Sequence, residues 1–270
     1  GMIGAAFGLG FIIGPVIGGL LGQFGSRVPF YAAAVLCLVN FAYGYFILPE
    51  SLGKEHRRPF EWKRANPVGS LLKVRTHPEI LKLFIAWFLV YLASHAVQTN
   101  WAYFTMYKFA WDEKTVGISL GVMGAFTAFV QGFLIRKVHP KLGSERSILY
   151  GIMFYCTGML LFAFAQKEWM MYAILAIYCL GGIAGPALQS VISSKVSPKE
   201  QGDLQGALTS VISITSIIGP LLMTQIFYFF THPDAKIKLL TLELKPPFQF
   251  SGAPFFLGFV LMAVCAYFVY

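Results

Sequence analysis

Apolar stretches of about 20 residues or more, each able to cross a hydrocarbon core of about 30 Å, lie near 2–23, 29–48, 80–106, 115–136, 147–166, 169–192, 204–230 and 252–270. Lipid offers no water to satisfy backbone N–H and C=O groups, so such segments must close their hydrogen bonds internally as helices. The pattern predicts an all-α polytopic membrane protein with about eight transmembrane helices. Only 12% of the chain is charged, against about a quarter in ordinary soluble domains. No charged n-region, short apolar core and cleavage site opens the chain, so its first stretch reads as a membrane helix and not as a signal peptide. Cys37, Cys156, Cys179 and Cys265 sit inside apolar runs without metal-ligand spacing and read as packing residues.

A net charge of +9 in a soluble domain would suggest nucleic acid, but here its distribution sets orientation instead. The polar segment between Pro49 and Glu79 carries Lys54, Arg57, Arg58, Lys63, Arg64, Lys73 and Arg75 and is assigned to the cytoplasm. Alternation then puts the 136–147 and 193–203 loops on the same side, giving thirteen Lys/Arg inside against seven outside. Asn66-Pro67 reads as a helix start, and Val68, Leu71 and Leu72 share a face, so this segment is either a short interfacial helix or a solvated linker.

The most patterned stretch is Gly10-x-x-x-Gly14-Pro15-x-x-Gly18-Gly19. Glycines at four-residue spacing make one face thin enough for a second helix to reach backbone contact, and Pro15 should bend the helix. Gly1 precedes Gly14-Pro15 by thirteen residues, and Gly206 precedes Gly219-Pro220 by the same thirteen, an offset of 205 residues. That is the length of six membrane helices with loops, the internal repeat of transporters built as two parallel halves. On this reading 1–48 holds the last two helices of a first six-helix half, 49–79 the central loop, and 80–270 the complete second half. Four further helices are expected ahead of Gly1.

The Gly10 to Gly19 pattern resembles the fifth-helix signature of the drug:proton antiporters of the major facilitator superfamily, matching at every defined position. Pro29-Phe30-Tyr31-Ala32-Ala33-Ala34, Leu48-Pro49-Glu50-Ser51, Trp111-Asp112, Gly182-Ile183-Ala184-Gly185-Pro186 and Gln201-Gly202-x-Leu204-Gln205-Gly206 are similar to its tetracycline-exporter-like subgroup. Gly132, Arg136, Lys137, Gly143 and Arg146 resemble the superfamily's cytoplasmic loop signature between helices eight and nine, but Arg136 stands where that signature has an aspartate. Those five residues otherwise read as a basic loop that sets topology. Some tetracycline exporters carry an acidic residue in the ninth helix and a histidine in the eighth; Tyr155 and Thr127 occupy the aligned positions.

The resemblance implies a truncated major facilitator fold, helices five to twelve, in a multi-pass protein of the inner (plasma) membrane. It also implies proton-driven export of amphipathic or aromatic small molecules by alternating access, by a protein monomeric when full length. No cofactor is expected, the proton being the coupling ion, and the partners are the lipid bilayer and a small-molecule substrate, not nucleic acid. The alternatives are a non-transporting remnant or partner subunit, and an uptake symporter of the same fold. An enzyme is not expected, since the spans hold no carboxylate pair, metal-ligand cluster or nucleophile with a base. No Asp, Glu, Lys or Arg occupies the middle of a span; the resemblance implies that the main proton-coupling acidic residue belongs to the first helices, expected ahead of Gly1. The neutral polar groups left for a cavity are His95, Gln98, Thr99, Asn100, Gln131, Tyr155 and Gln189. Each reads either as a ligand-facing group or as an interhelix hydrogen-bonding one.

Overall fold

The computed structural model describes residues 10, 13–14, 17–22, 24–25, 27–49, 78–196, 201–232, 237–239, 242–246 and 248–269. Pro15 and the expected interfacial helix near 66–75 lie outside them. Gly10, Gly14, Gly18 and Gly19 are helical. The first complete element, α1 (Val28–Phe46), starts with Pro29 in its first turn, where a missing N–H costs nothing. None of its residues is buried.

Further along the chain come α2 (Pro78–Phe109), α3 (Glu113–Phe129), α4 (Ile135–Phe164), α5 (Glu168–Leu180), α6 (Ala184–Ser194), α7 (Gln201–Thr231) and α8 (Ala253–Val269). A π-turn, Val130–Leu134, joins α3 to α4, and a 3-10 turn, Gly181–Ile183, joins α5 to α6. Helix α8 packs against α2 and α4, α7 against α2, α5 and α6 against α4, and α3 against α5. One apolar core joins Phe84, Trp87, Ile152, Leu188, Leu208 and Met262. A second, at the other end of the bundle, joins Trp101, Phe104, Phe162, Leu175 and Phe255. Close helix contact relies on missing side chains: a Cβ at Gly151 would come within 2.7 Å of Ala184, and one at Gly158 within 2.8 Å of Tyr178.

Two expectations change. The 136–147 loop is helical almost throughout, so helix runs from Glu113 to Phe164, 52 residues. At 1.5 Å per residue this is about 78 Å, more than twice a hydrocarbon core, and it makes two crossings only because the chain turns at Gly143. That residue has φ 73° and ψ 172°, backbone that glycine adopts without steric cost. Nothing between Arg136 and Leu142 disfavours helix apart from Pro140, which the helix absorbs. The second change is a β-hairpin before α8. Strands β1 (Ile237–Leu239) and β2 (Leu242–Leu244) pair antiparallel, with Ile237 opposite Leu244 and Lys238 opposite Glu243. The run Ile-Lys-Leu-Leu-Thr-Leu-Glu-Leu has high β-branched and leucine content but is too short to cross a membrane. The membrane-embedded architecture remains all-α.

Between α2 and α3 the chain turns through Ala110 at φ 54°. Trp111 is buried there against Tyr172, ring centroids 5.6 Å apart. Asp112 then caps α3, its Oδ1 accepting the Thr115 N–H at 2.8 Å and the Thr115 hydroxyl as well. These two bonds, the hydroxyl's first, hold the carboxyl below the usual carboxylate range, with Lys114 a minor contributor. A depressed carboxyl stabilises the fold above its unfolded pKa of about 3.9 and loses that contribution as pH falls through the folded value. Asp112→Ala is therefore expected to lower the melting temperature at neutral pH and to flatten the acid limb of its pH profile. Asp112→Asn, which can still cap, is expected to keep the neutral-pH stability and flatten only the acid limb. Melting curves between neutral and acidic pH check both.

Candidate transport site

The irregular turns define the site. Pro186, in the first turn of α6, has no N–H to give the carbonyl of Gly182 four residues back, and its ring crowds that carbonyl. The chain answers by tightening into the 3-10 turn Gly181–Ile183. The Gly182 carbonyl thus lacks the i+4 N–H donor of a regular helix. The π-turn carrying Gln131 packs against the 3-10 turn, so two irregular backbone segments meet at one depth of the bundle. A Cβ built at Gly182 would stand 3.9 Å from the Gln131 amide nitrogen and 4.0 Å from the Tyr155 hydroxyl. Gln131 and Tyr155 therefore converge on one glycine.

Around them, the Tyr155 and Tyr178 rings lie 4.9 Å apart at 57°. A Cβ at Gly181 would come within 2.5 Å of the Tyr155 ring. The Thr127 hydroxyl donates to the Cys179 sulfur at 3.7 Å, and the thiol donates to the Met123 carbonyl at 3.8 Å. The pair aligned with the charged residues of some tetracycline exporters, Thr127 and Tyr155, thus falls in one neutral polar patch. Gln131 and Tyr155 are both half-buried, so the patch reaches the surface of this half.

The other sequence candidates do not join it. His95 is buried, its imidazole laid against the backbone at Gly219. One turn on, Gln98 is exposed and donates to Ser94 Oγ at 3.2 Å, and Thr99 is half-buried. Asn100 is fully buried, and neither atom of its amide has a hydrogen-bond partner. Leaving a buried polar group unmade costs about 1–3 kcal/mol. Asn100→Leu, which removes both orphaned atoms at similar volume, is expected to stabilise the protein by about 1 kcal/mol or more, read as a rise in melting temperature in detergent; a fall would show that the amide has a partner in the membrane.

Gln189 donates to Gln205 Oε1 at 3.2 Å, tying α6 to α7. Gln205 begins a stripe that sequence reasoning passed over: Gln205, Thr209, Ser213 and Ser216 are all exposed on α7. Their recurrence every three or four residues was the available signal. Thr209 and Ser213 donate back to the carbonyls of Gln205 and Thr209, at 2.8 and 3.0 Å. Of the loop signature, Gly132 lies in the π-turn, Arg136 and Lys137 are exposed, Lys137 sits 4.4 Å over the Phe133 ring, and Gly143 makes the break. A Cβ at Gly10, Gly14, Gly18 or Gly19 would meet nothing within 4 Å among the described residues. Gly219, which shares the spacing and following proline of Gly14, is the reverse case, filled by His95.

Comparison with known proteins agrees with this architecture. The structure superposes on the human organic anion transporter MFSD10 (TETRAN) with a TM-score of 0.76, at 20% identity, covering 99% of this chain and 62% of that one. The chain is 37% identical over 227 residues to the class C tetracycline resistance protein of Escherichia coli, covering 84% of this chain and 57% of that protein. It is 34% identical to the class B protein of Escherichia coli, covering 84% and 56%, and 26% identical to the human Hippocampus abundant transcript 1 protein, covering 87% and 49%. The chain therefore spans little more than half the length of the resistance proteins it matches. The profile of the Major Facilitator Superfamily matches residues 1–220. Helices long and apolar enough to cross a membrane, the shared fold and this match over most of the chain place the protein in the Major Facilitator Superfamily.

Proposed function

We propose that this chain supplies helices five to twelve of a secondary active transporter that exports amphipathic or aromatic small molecules in exchange for protons, by alternating access. The observation that carries the reading is the neutral polar surface of this bundle: Gln131 and Tyr155 beside Gly182, and the exposed stripe Gln205, Thr209, Ser213 and Ser216. Amides and hydroxyls facing lipid are costly, whereas a water-filled path between two halves suits them. Aromatic walls with few polar groups suit a flat, amphipathic ligand. The tetracycline resistance proteins to which the chain is similar support the export direction.

In this reading Gly10, Gly14, Pro15, Gly18 and Gly19 contact the opposite half and limit leak. The coupling proton moves through the first helices, residues 49–79 lie in the cytoplasm of an inner-membrane monomer, and no enzymatic step occurs. Proton-driven uptake of a fluorescent tetracycline into everted vesicles tests it. Uptake is expected to collapse with a protonophore and to fall about tenfold in Gln131→Leu, the loss of one hydrogen bond to a ligand. Accumulation only in right-side-out vesicles would instead show a symporter, and absence of transport by correctly inserted protein would overturn the proposal.

A further inference from the structure

A cleft of about 650 Å³ opens at the end of the bundle that carries the basic loops, between α2, α4, α6 and α8. Its rim holds Lys82, Arg146 and Lys195 with one carboxylate, Glu145, and all four are exposed. The walls below are apolar, with Leu83, Leu149 and Phe268 half-buried along them. These residues are remote in sequence: the start of α2, the turn after Gly143, the end of α6 and the end of α8 bring them together. We propose that this cleft binds one anionic glycerophospholipid, its phosphate between Lys82 and Arg146 and an acyl chain along Leu83, Leu149 and Phe268.

Two features select that occupant. Lys82 and Arg146 outnumber the one carboxylate on the rim, Glu145, and a basic pocket between membrane helices on the cytoplasmic side complements the anionic leaflet there. The apolar walls continue from the charged rim, the layout of a phospholipid and not of a free phosphate, which would leave them unfilled. Arg146, read from sequence as part of a loop signature or a topology-setting charge, thereby acquires a ligand. The inference needs only that this end of the helices meets a bilayer surface, so it stands or falls separately from the transport reading.

Native mass spectrometry of the protein released from nanodiscs of mixed phosphatidylcholine and phosphatidylglycerol tests it. One phosphatidylglycerol is expected to be retained in preference to phosphatidylcholine. In K82Q/R146Q its apparent affinity is expected to fall about thirtyfold, each cation near the surface contributing a factor of about five. K82R/R146K, which keeps both charges, should retain the lipid, as should K137Q/K141Q, whose charges lie outside the cleft. Equal retention of the two lipids, equal loss in K137Q/K141Q, or loss in K82R/R146K would overturn the site. Displacement by soluble glycerol 3-phosphate as effectively as by lipid would overturn the lipid occupant in favour of a free anion.

Discussion

Gly219→Leu is expected to destabilise the protein by about 3 kcal/mol, the upper end of what overpacking a close-packed interior costs. Any Cβ at this position runs into the imidazole of His95, and His95 has little room to retreat because it is buried on α2 between Ala93, Ala96 and Val97, themselves buried. The α2–α7 contact is one of the main seams of the bundle, so the strain falls on the core and not on a frayed edge. The expected result is a large drop in melting temperature and in the yield of detergent-soluble protein. The double variant His95→Ala, Gly219→Leu separates causes. If the collision is responsible, shortening the histidine recovers much of the loss, the non-additivity characteristic of residues in contact. If the double variant is no better than Gly219→Leu alone, the glycine matters to α7 for another reason.

Gly14→Leu is expected to do the opposite: to leave folding untouched and to abolish export. Gly14 and Gly219 share one sequence pattern, each thirteen residues after a glycine and followed by proline. Around Gly14, however, a Cβ would meet nothing within 4 Å among the described residues. A leucine there has space among the described residues and acts on what approaches that face. If the opposing half closes on it during the transport cycle, the added side chain holds the two helices apart and the leak-tight state is lost. Drug resistance of cells expressing the full-length variant, with membrane expression measured in parallel, is the readout. Unchanged resistance at normal expression would remove the gating role. A lowered melting temperature accompanying lost resistance would show that the face is packed permanently and does not open and close.

The membrane spans were legible because hydrophobic length is a strong signal: a helix such as α2 is apolar over nearly its whole length, and only its ends are in question. Continuity between spans was less legible. The charges at Arg136, Lys137, Lys141 and Arg146 suggested a loop, but charge does not break a helix; the break needs backbone outside the helical region, and only Gly143 supplies it. The glycine motif was readable as a packing device, yet sequence alone could not tell that Gly219 is filled by a histidine while a Cβ at Gly14 meets nothing within 4 Å among the described residues. His95 and Gln98, three residues apart and both candidates for one cavity, have different surroundings, one buried and the other exposed. Three positions along a helix differ by about 60°, enough to straddle the edge of an interface. Convergence of Gln131 and Tyr155 on Gly182 needed the tertiary fold, since 24 and 51 residues separate Gln131 from them.

The π-turn at Val130–Leu134 has a bearing on how this stretch tolerates changes in length. In a regular membrane helix, losing one residue rotates everything beyond it by about 100° and turns buried groups toward lipid. A π-turn is an α-helix with one residue too many inside a single wider turn, so a one-residue deletion within Val130–Leu134 would let the ladder return to its ordinary spacing. The faces on either side, Val116 and Ser119 before it and Ser147 and Ile148 after it, would stay aimed as they are. Length variation that is ruinous elsewhere in these helices is therefore absorbed at this one point, and the local shape at Gln131 is what changes.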